Sequence, residues 1–87
     1  MSLKLLADSY VELNIKAIKE ITGENYSLYP ETKSENYIFL YCRQGTTQTI
    51  IDGKNIELSE NDIYLINTNT SFSFTKGNYS ILFLEFN

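Results

Sequence analysis

Residues 37–67 read YIFLYCRQGTTQTIIDGKNIELSENDIYLIN. The stretch is a series of strand-like runs cut by turn residues. Tyr37 to Cys42 is a continuous apolar run rich in β-formers and predicts a strand buried on both faces. Arg43-Gln44-Gly45 predicts a turn. Thr47–Ile51 and Lys54–Leu58 then flank Asp52-Gly53. Asp-Gly between strand-like arms is a strong hairpin signal, because a type I′ turn needs positive φ at both central residues. Ile56 and Leu58 alternate with Glu57, which leaves one face of that arm wet. Ser59-Glu60-Asn61 predicts the next turn, and Asp62–Ile66 the next strand.

The same rhythm continues outward. Ser71–Thr75 alternates, with Phe72 and Phe74 on one face, and Tyr79–Phe86 reads as a long apolar strand. Further turn signals fall at Thr22-Gly23-Glu24-Asn25, Tyr29-Pro30-Glu31, Asn67-Thr68-Asn69 and Lys76-Gly77-Asn78. Short runs between frequent turns are the pattern of an all-β sandwich or barrel. The N-terminal third reads two ways. Val11, Leu13, Ile15 and Ala17 alternate with polar residues, as in a strand, while Leu6, Tyr10, Leu13, Ala17 and Ile21 fit a helical stripe. Strand is favoured, because Val11 and Ile15 sit off the helical face. Residues 1–8 read as a short helix or a disordered arm.

Composition narrows the function. The chain has 87 residues, which predicts a single domain over 1–87, with 43% hydrophobic and 21% charged residues, the balance of a folded chain. Its formal net charge is −4, and no basic cluster interrupts it, which argues against nucleic-acid binding by this segment. No apolar run reaches the roughly 20 residues of a membrane-spanning helix, and no signal-peptide pattern is present. The single cysteine, Cys42, makes no internal disulfide, so a cytoplasmic location is expected. The absence of histidine excludes Ser-His-Asp and Cys-His nucleophilic systems and the usual zinc sites. The four glycines stand apart and form no phosphate-binding loop. No cofactor is expected.

Tyr41-Cys42-Arg43-Gln44-Gly45, Ile50-Ile51-Asp52-Gly53-Lys54 and Leu58-Ser59-Glu60-Asn61-Asp62-Ile63-Tyr64-Leu65-Ile66-Asn67, closed by Ile81–Phe86, carry a resemblance. Over residues 24–87 the chain resembles the cupin-type sensor domain at the N-terminus of AraC-family transcription regulators. The resemblance implies an all-β, small cupin-like (jelly-roll) barrel of about eight short strands. Asn61-Asp62 stands where that family usually has Gly-Asp; Asn tolerates the left-handed backbone, and Asp62 can lock the turn through backbone N–H groups. Metal-binding cupins present histidines and a carboxylate at positions that map here near Thr32, Ser34, Ile38 and Phe72. None of these is such a ligand, so the resemblance implies a cupin without a metal and without metal-dependent chemistry.

Several side chains are candidates for a binding site. Tyr37, Tyr41 and Tyr64 could turn a phenol into the barrel, Arg43 could stand as a cation at its mouth, and Phe72 would plug the lost metal position, though packing or surface is the simpler reading of each. Cys42 reads as a small buried hydrophobe. Lys16, Lys19 and Glu20 read as a solvated face. The resemblance implies an effector-sensing and oligomerisation domain rather than an enzyme, a homodimer whose effector could be a sugar, and contact with DNA only through helix-turn-helix units outside this segment. A stand-alone metal-free cupin that binds a metabolite, or acts as a sugar isomerase or epimerase, is the alternative. It needs a reactive group inside the barrel, and only Glu85 sits in an apolar strand. A filled barrel serving as an interaction domain is the third reading. Self-association is expected through the closing strand, where Leu82, Leu84 or Phe86 would be exposed, or through Val11–Ala17.

Overall fold

The computed structural model describes the backbone of residues 2–6, 10–23, 31–75 and 77–87, with side chains from residue 14 onward. Eight strands run through it in chain order: β1 (Ser2–Leu6), β2 (Tyr10–Thr22), β3 (Thr32–Lys33), β4 (Tyr37–Ile51), β5 (Lys54–Ser59), β6 (Ile63–Ile66), β7 (Ser71–Phe74) and β8 (Tyr79–Phe86). All pairings are antiparallel, and the sheet path is β1-β2-β8-β4-β7-β3, with β5 and β6 also joined to β4. The result is a curled sheet that forms a half-barrel.

The longest element, β4, organises the others. Its first half pairs with β8 along one edge and with β6 along the other; its second half pairs with β5 and β7. Between the halves the register against β8 slips, with Cys42 opposite Ile81 and Gln44 opposite Ser80. Arg43 is therefore an extra, unpaired residue, and Gly45 just after it has φ 75°. This is a β-bulge, which bends a strand and raises its twist. It also resets the alternation. Ile38, Leu40 and Cys42 point inward before it, whereas Thr47, Thr49 and Ile51 point inward after it. One strand thus serves both walls of the half-barrel. The turn expected at Arg43-Gln44-Gly45 is this bulge inside a continuous strand, because Gly45 absorbs the bend without reversing the chain.

The core lies between the walls. Ile21, Ile38, Leu40, Cys42, Ile66, Ile81 and Phe83 come from one side, and Ile51, Leu58, Phe72 and Phe74 from the other. The Phe72 ring meets Phe83 across the gap, centroid to centroid 6.0 Å. Tyr37–Cys42 is not buried on both faces as its composition suggested. Only Ile38, Leu40 and Cys42 are buried, while Phe39 and Tyr41 are half-buried and Tyr37 is exposed. The short runs merge into two long strands of 13 and 15 residues.

At the N-terminus, strand wins over helix from Tyr10 to Thr22, as the β-branched alternation favoured. Ser2–Leu6 is also a strand, paired with Tyr10–Asn14, rather than the short helix or arm expected over 1–8. Backbone bonds between Asn14 and Asn87, 3.1 Å each way, mark where β2 leaves the end of β8. The predicted turns at Thr22–Asn25, Tyr29–Glu31 and Lys76–Asn78 fall wholly or partly outside the described residues. No helix among the described residues is long and apolar enough to cross a membrane.

The hairpin and the Asn61 turn form as their chemistry requires. Asp52 and Gly53 have φ 51° and 76°, both positive as in a type I′ turn. Asn61 has φ 73°, and Asp62 accepts a bond from the Ser59 N–H at 2.8 Å, which closes the turn. A Cβ at Gly45 would meet the Asn78 carbonyl oxygen at 2.0 Å, whereas a Cβ at Gly53 would meet nothing within 4 Å. Gly45→Ala should therefore destabilise by more than about 2 kcal/mol, and Gly53→Ala by about 1 kcal/mol from the left-handed backbone alone. Urea unfolding of both variants measures the difference; equal midpoints would contradict the bulge geometry.

Candidate functional site

Along β8 the inward residues are Tyr79, Ile81 and Phe83, all buried. The next inward position is Glu85, which lies opposite Ile38 on β4 and Ala17 on β2. A carboxylate at the end of an apolar row is costly unless hydrogen-bonded. Here two donors reach it. The Ser34 hydroxyl donates to Oε2 at 2.5 Å, and the Asn36 amide donates to the same oxygen at 2.9 Å.

Both donors sit in residues 34–36, which join β3 to β4, and local bonds hold that segment. The Asn36 N–H donates to the Ser34 hydroxyl at 3.0 Å, and the Asn69 N–H donates to the Ser34 carbonyl at 2.7 Å. Lys19 arrives from β2, opposite Phe83, with its ammonium 4.7 Å above the Phe83 ring. The bonds from Ser34 and Asn36 hold the Glu85 carboxyl below its ordinary range against the effect of burial, and the Lys19 charge acts in the same direction.

These groups line a cleft of about 410 Å³, within the range of small-ligand sites. Thr32, Ser34, Ile38 and Phe72, the four positions that the family resemblance maps to metal ligands, all line it. The register explains the convergence: Thr32 pairs with Phe72, and Ile38 with Glu85. The donor set does not fit a transition metal. Two hydroxyls, an alkyl chain and a phenyl ring replace imidazole and carboxylate. Among the described residues, no group of three His, Cys, Asp or Glu is placed to hold a metal ion.

The other sequence candidates lie apart from this cleft. Tyr37 is exposed and stacks on Phe86, ring centroids 5.6 Å apart. The Tyr41 hydroxyl donates to Asn61 at 3.1 Å on the surface. Arg43, the bulge residue, faces Glu20 at 3.5 Å in an exposed ion pair. Tyr64 lines a separate cavity of about 240 Å³ beside the Asp52-Gly53 hairpin. Cys42 is fully buried, and burial pushes its thiol upward, as expected of a packed side chain. Sequence reading did not single out Ser34 and Asn36 as partners of Glu85, and it placed Lys19 on a solvated face. The available signal was the alternation Ile81, Phe83, Glu85, which puts the carboxylate on the inner side.

No model of a known family matches the chain, and no curated protein matches it in sequence. Solved structures do match its fold. A conserved protein of unknown function from Streptococcus pyogenes aligns with TM-score 0.62 and 13% identity, over 98% of this chain and 71% of that one. A predicted oxalate decarboxylase from Thermotoga maritima aligns with TM-score 0.59 and 14% identity, over 98% and 89%. The Cnp3 cupin domain of Schizosaccharomyces pombe aligns with TM-score 0.58 and 10% identity, over 97% of this chain and 61% of that one. The chain thus has a cupin-like fold, and it spans less than two thirds of the Cnp3 domain it resembles.

Two outcomes follow. Glu85→Gln should cost about 0.5–1.5 kcal/mol at about pH 7, since charge-assisted bonds become neutral ones. A carboxyl held low when folded stabilises above its unfolded pKa of about 4.3, and that stability fades as pH falls through the folded value. The gap between wild type and Glu85→Gln should therefore close in acid; a gap independent of pH would contradict the assignment. Elemental analysis after dialysis should find no transition metal near one per chain, and about one Zn, Fe or Mn per chain would contradict the donor argument.

Proposed function

We propose that this chain is a metal-free cupin-type sensor domain that binds a small polar metabolite in the Glu85 cleft. Following the resemblance to AraC-family regulators, it acts as the effector-sensing part of a transcription regulator and not as an enzyme. One observation carries the binding reading. The cleft holds the positions that the resemblance maps to metal ligands, and its polar groups Ser34 and Asn36 are arranged about Glu85. Both described bonds to Glu85 fall on Oε2, and among the described residues none reaches Oε1. That oxygen is an acceptor for a ligand hydroxyl or amine, and Phe72 and Phe83 offer an apolar wall beside it.

The same geometry weighs against the isomerase or epimerase alternative. A general base works best with a pKa near the working pH. Glu85 is held the other way, as a settled carboxylate suited to accepting a hydrogen bond. Oxalate decarboxylation is what the name of the Thermotoga neighbour states of that protein, and nothing at this cleft supports its transfer here.

A thermal-shift screen over sugars, sugar acids, polyols and amino acids tests the binding reading. A ligand at 100 times its Kd adds about 2.7 kcal/mol to the folded state, a shift of roughly 10–20 °C for a chain of this size. A stabilising compound is expected whose effect is lost in Glu85→Gln. No stabilising compound, or one indifferent to Glu85→Gln, would contradict it. The regulator reading has its own test: the gene beyond Asn87 should encode a basic helix-turn-helix region. Its absence would overturn that reading and leave the binding site standing.

A further inference from the structure

The cleft around Glu85 carries opposite charges side by side. Lys19 on β2 pairs with Phe83 on β8, and Glu85 stands two residues further along β8, on the same face. Lys19 and Glu85 are therefore diagonal neighbours, about 7–8 Å apart along the backbone. The Lys19 ammonium lies 4.7 Å above the Phe83 ring, and its charge reaches the Glu85 carboxyl. Lys33 and Glu35, both exposed, also line the cleft. Its ionisable side chains thus balance, two cations against two carboxylates, although the chain as a whole has a net charge of −4. Beside these charges the lining is apolar: Ile38, Phe72 and Phe83 are each buried.

We infer that the ligand of this cleft is a free α-amino acid with an apolar side chain, its ammonium on Glu85 and its carboxylate on Lys19. The inference rests on the reading of the cleft as a ligand site and narrows the class of ligand. Desolvation is the first argument. A ligand that fills the cleft strips water from Glu85 Oε1 and from the Lys19 ammonium. A charge taken out of water costs free energy unless an opposite charge or hydrogen bonds replace that water. A neutral sugar or polyol brings hydroxyls and no charge. A sugar acid answers Lys19 but sets a second negative charge beside Glu85, and a simple amine does the reverse. A zwitterion answers both at once, and an α-amino acid carries its two charges on one carbon, as close together as the diagonal pair requires.

Donor and acceptor count is the second argument. Ser34 and Asn36 both donate to Oε2, which leaves Oε1 as the acceptor for a ligand ammonium. An ammonium has three N–H donors, so the contact of Lys19 with the Phe83 ring is compatible with a bond to a ligand carboxylate. Such charge-assisted bonds are roughly twice as strong as neutral ones. Size is the third argument. A cleft of about 410 Å³ is near the lower end of the range for ligand sites, which suits one amino acid rather than a peptide, with its side chain against Phe72 and Phe83.

Isothermal titration calorimetry on the whole 87-residue chain at neutral pH tests this, with leucine, phenylalanine, leucinamide, isocaproate and glucose as ligands. Leucine or phenylalanine should bind about tenfold or more tightly than leucinamide, which lacks the carboxylate, and than isocaproate, which lacks the ammonium. Lys19→Gln should weaken leucine by about tenfold or more and leave leucinamide no weaker, while Lys19→Arg restores most of the affinity for leucine. Glu85→Gln should weaken leucine by a similar factor and leave isocaproate no weaker. Circular dichroism confirms that each variant is folded; if Glu85→Gln is not, the two Lys19 variants give the reading. Glucose bound through Glu85 while both amino acids fail, or leucine bound with no regard to Lys19→Gln, would overturn this inference and leave the cleft standing as a ligand site. A cleft that takes none of the five ligands, and nothing in the wider thermal-shift screen, would overturn both.

Discussion

The bulge at Arg43, with Gly45 in a left-handed conformation behind it, is the constraint on which the rest of the molecule depends. It lets one strand of 15 residues belong to two walls. Without the extra residue, the inward series Ile38, Leu40, Cys42 would continue through even-numbered positions. Gln44, Thr46, Gln48 and Ile50 would then enter the core, and Thr47, Thr49 and Ile51 would leave it. A shift of one residue exchanges the two faces of a strand. The bulge performs that exchange once, at the point where the sheet must curl. Thr49 shows how closely the second half is fitted: it is fully buried, and its hydroxyl donates to the Ile56 carbonyl at 2.9 Å.

The cleft follows from this curl. β7 and β3 hang from the second half of β4, and β8 and β2 from the first, so bending β4 brings Phe72 over Phe83 and residues 34–36 over Glu85. What a transition metal does in many proteins of this fold, holding several side chains in one place, falls here to a carboxylate and its two donors. The difference is chemical. An ion organises imidazoles and carboxylates through coordination, whereas Glu85 organises a hydroxyl and an amide through charge-assisted hydrogen bonds. Such a centre suits the recognition of a polar ligand.

Much of this was legible in the residues. Asp52-Gly53 announced its hairpin because few residues tolerate two positive φ angles in succession, and Asn61-Asp62 announced its turn for the same reason. Phe72 and Phe74 declared a face by simple alternation. The pattern failed where a strand changes face in mid-course. Arg43-Gln44-Gly45 has the composition of a turn, and only the pairing with β8 distinguishes a bend from a reversal. The run from Tyr37 to Cys42 looked buried on both sides because its outer face is as apolar as its inner one. The four positions mapped to metal ligands did converge on one cleft, which composition alone could not show. Ser34, Asn36 and Lys19 were not legible as partners of Glu85, since they lie 51, 49 and 66 residues away and meet it only through the sheet. The phenols of Tyr37, Tyr41 and Tyr64 were candidates by residue type; the pleat turns Tyr37 and Tyr41 to the outer face, while Tyr64 shares the inner side with Leu40 and packs against the core apart from the Glu85 cleft.

The central claim is that the cupin centre of this chain is a ligand site built around Glu85. Chemical-shift mapping of a fragment library on the isotopically labelled protein addresses it most directly. The account predicts that fragments bearing hydroxyl or amine groups move the backbone signals of Ser34, Ile38, Phe72 and Glu85 together with the side-chain amide of Asn36. Perturbations confined to the outer face around Leu65, or a library that leaves the cleft signals still, would contradict it.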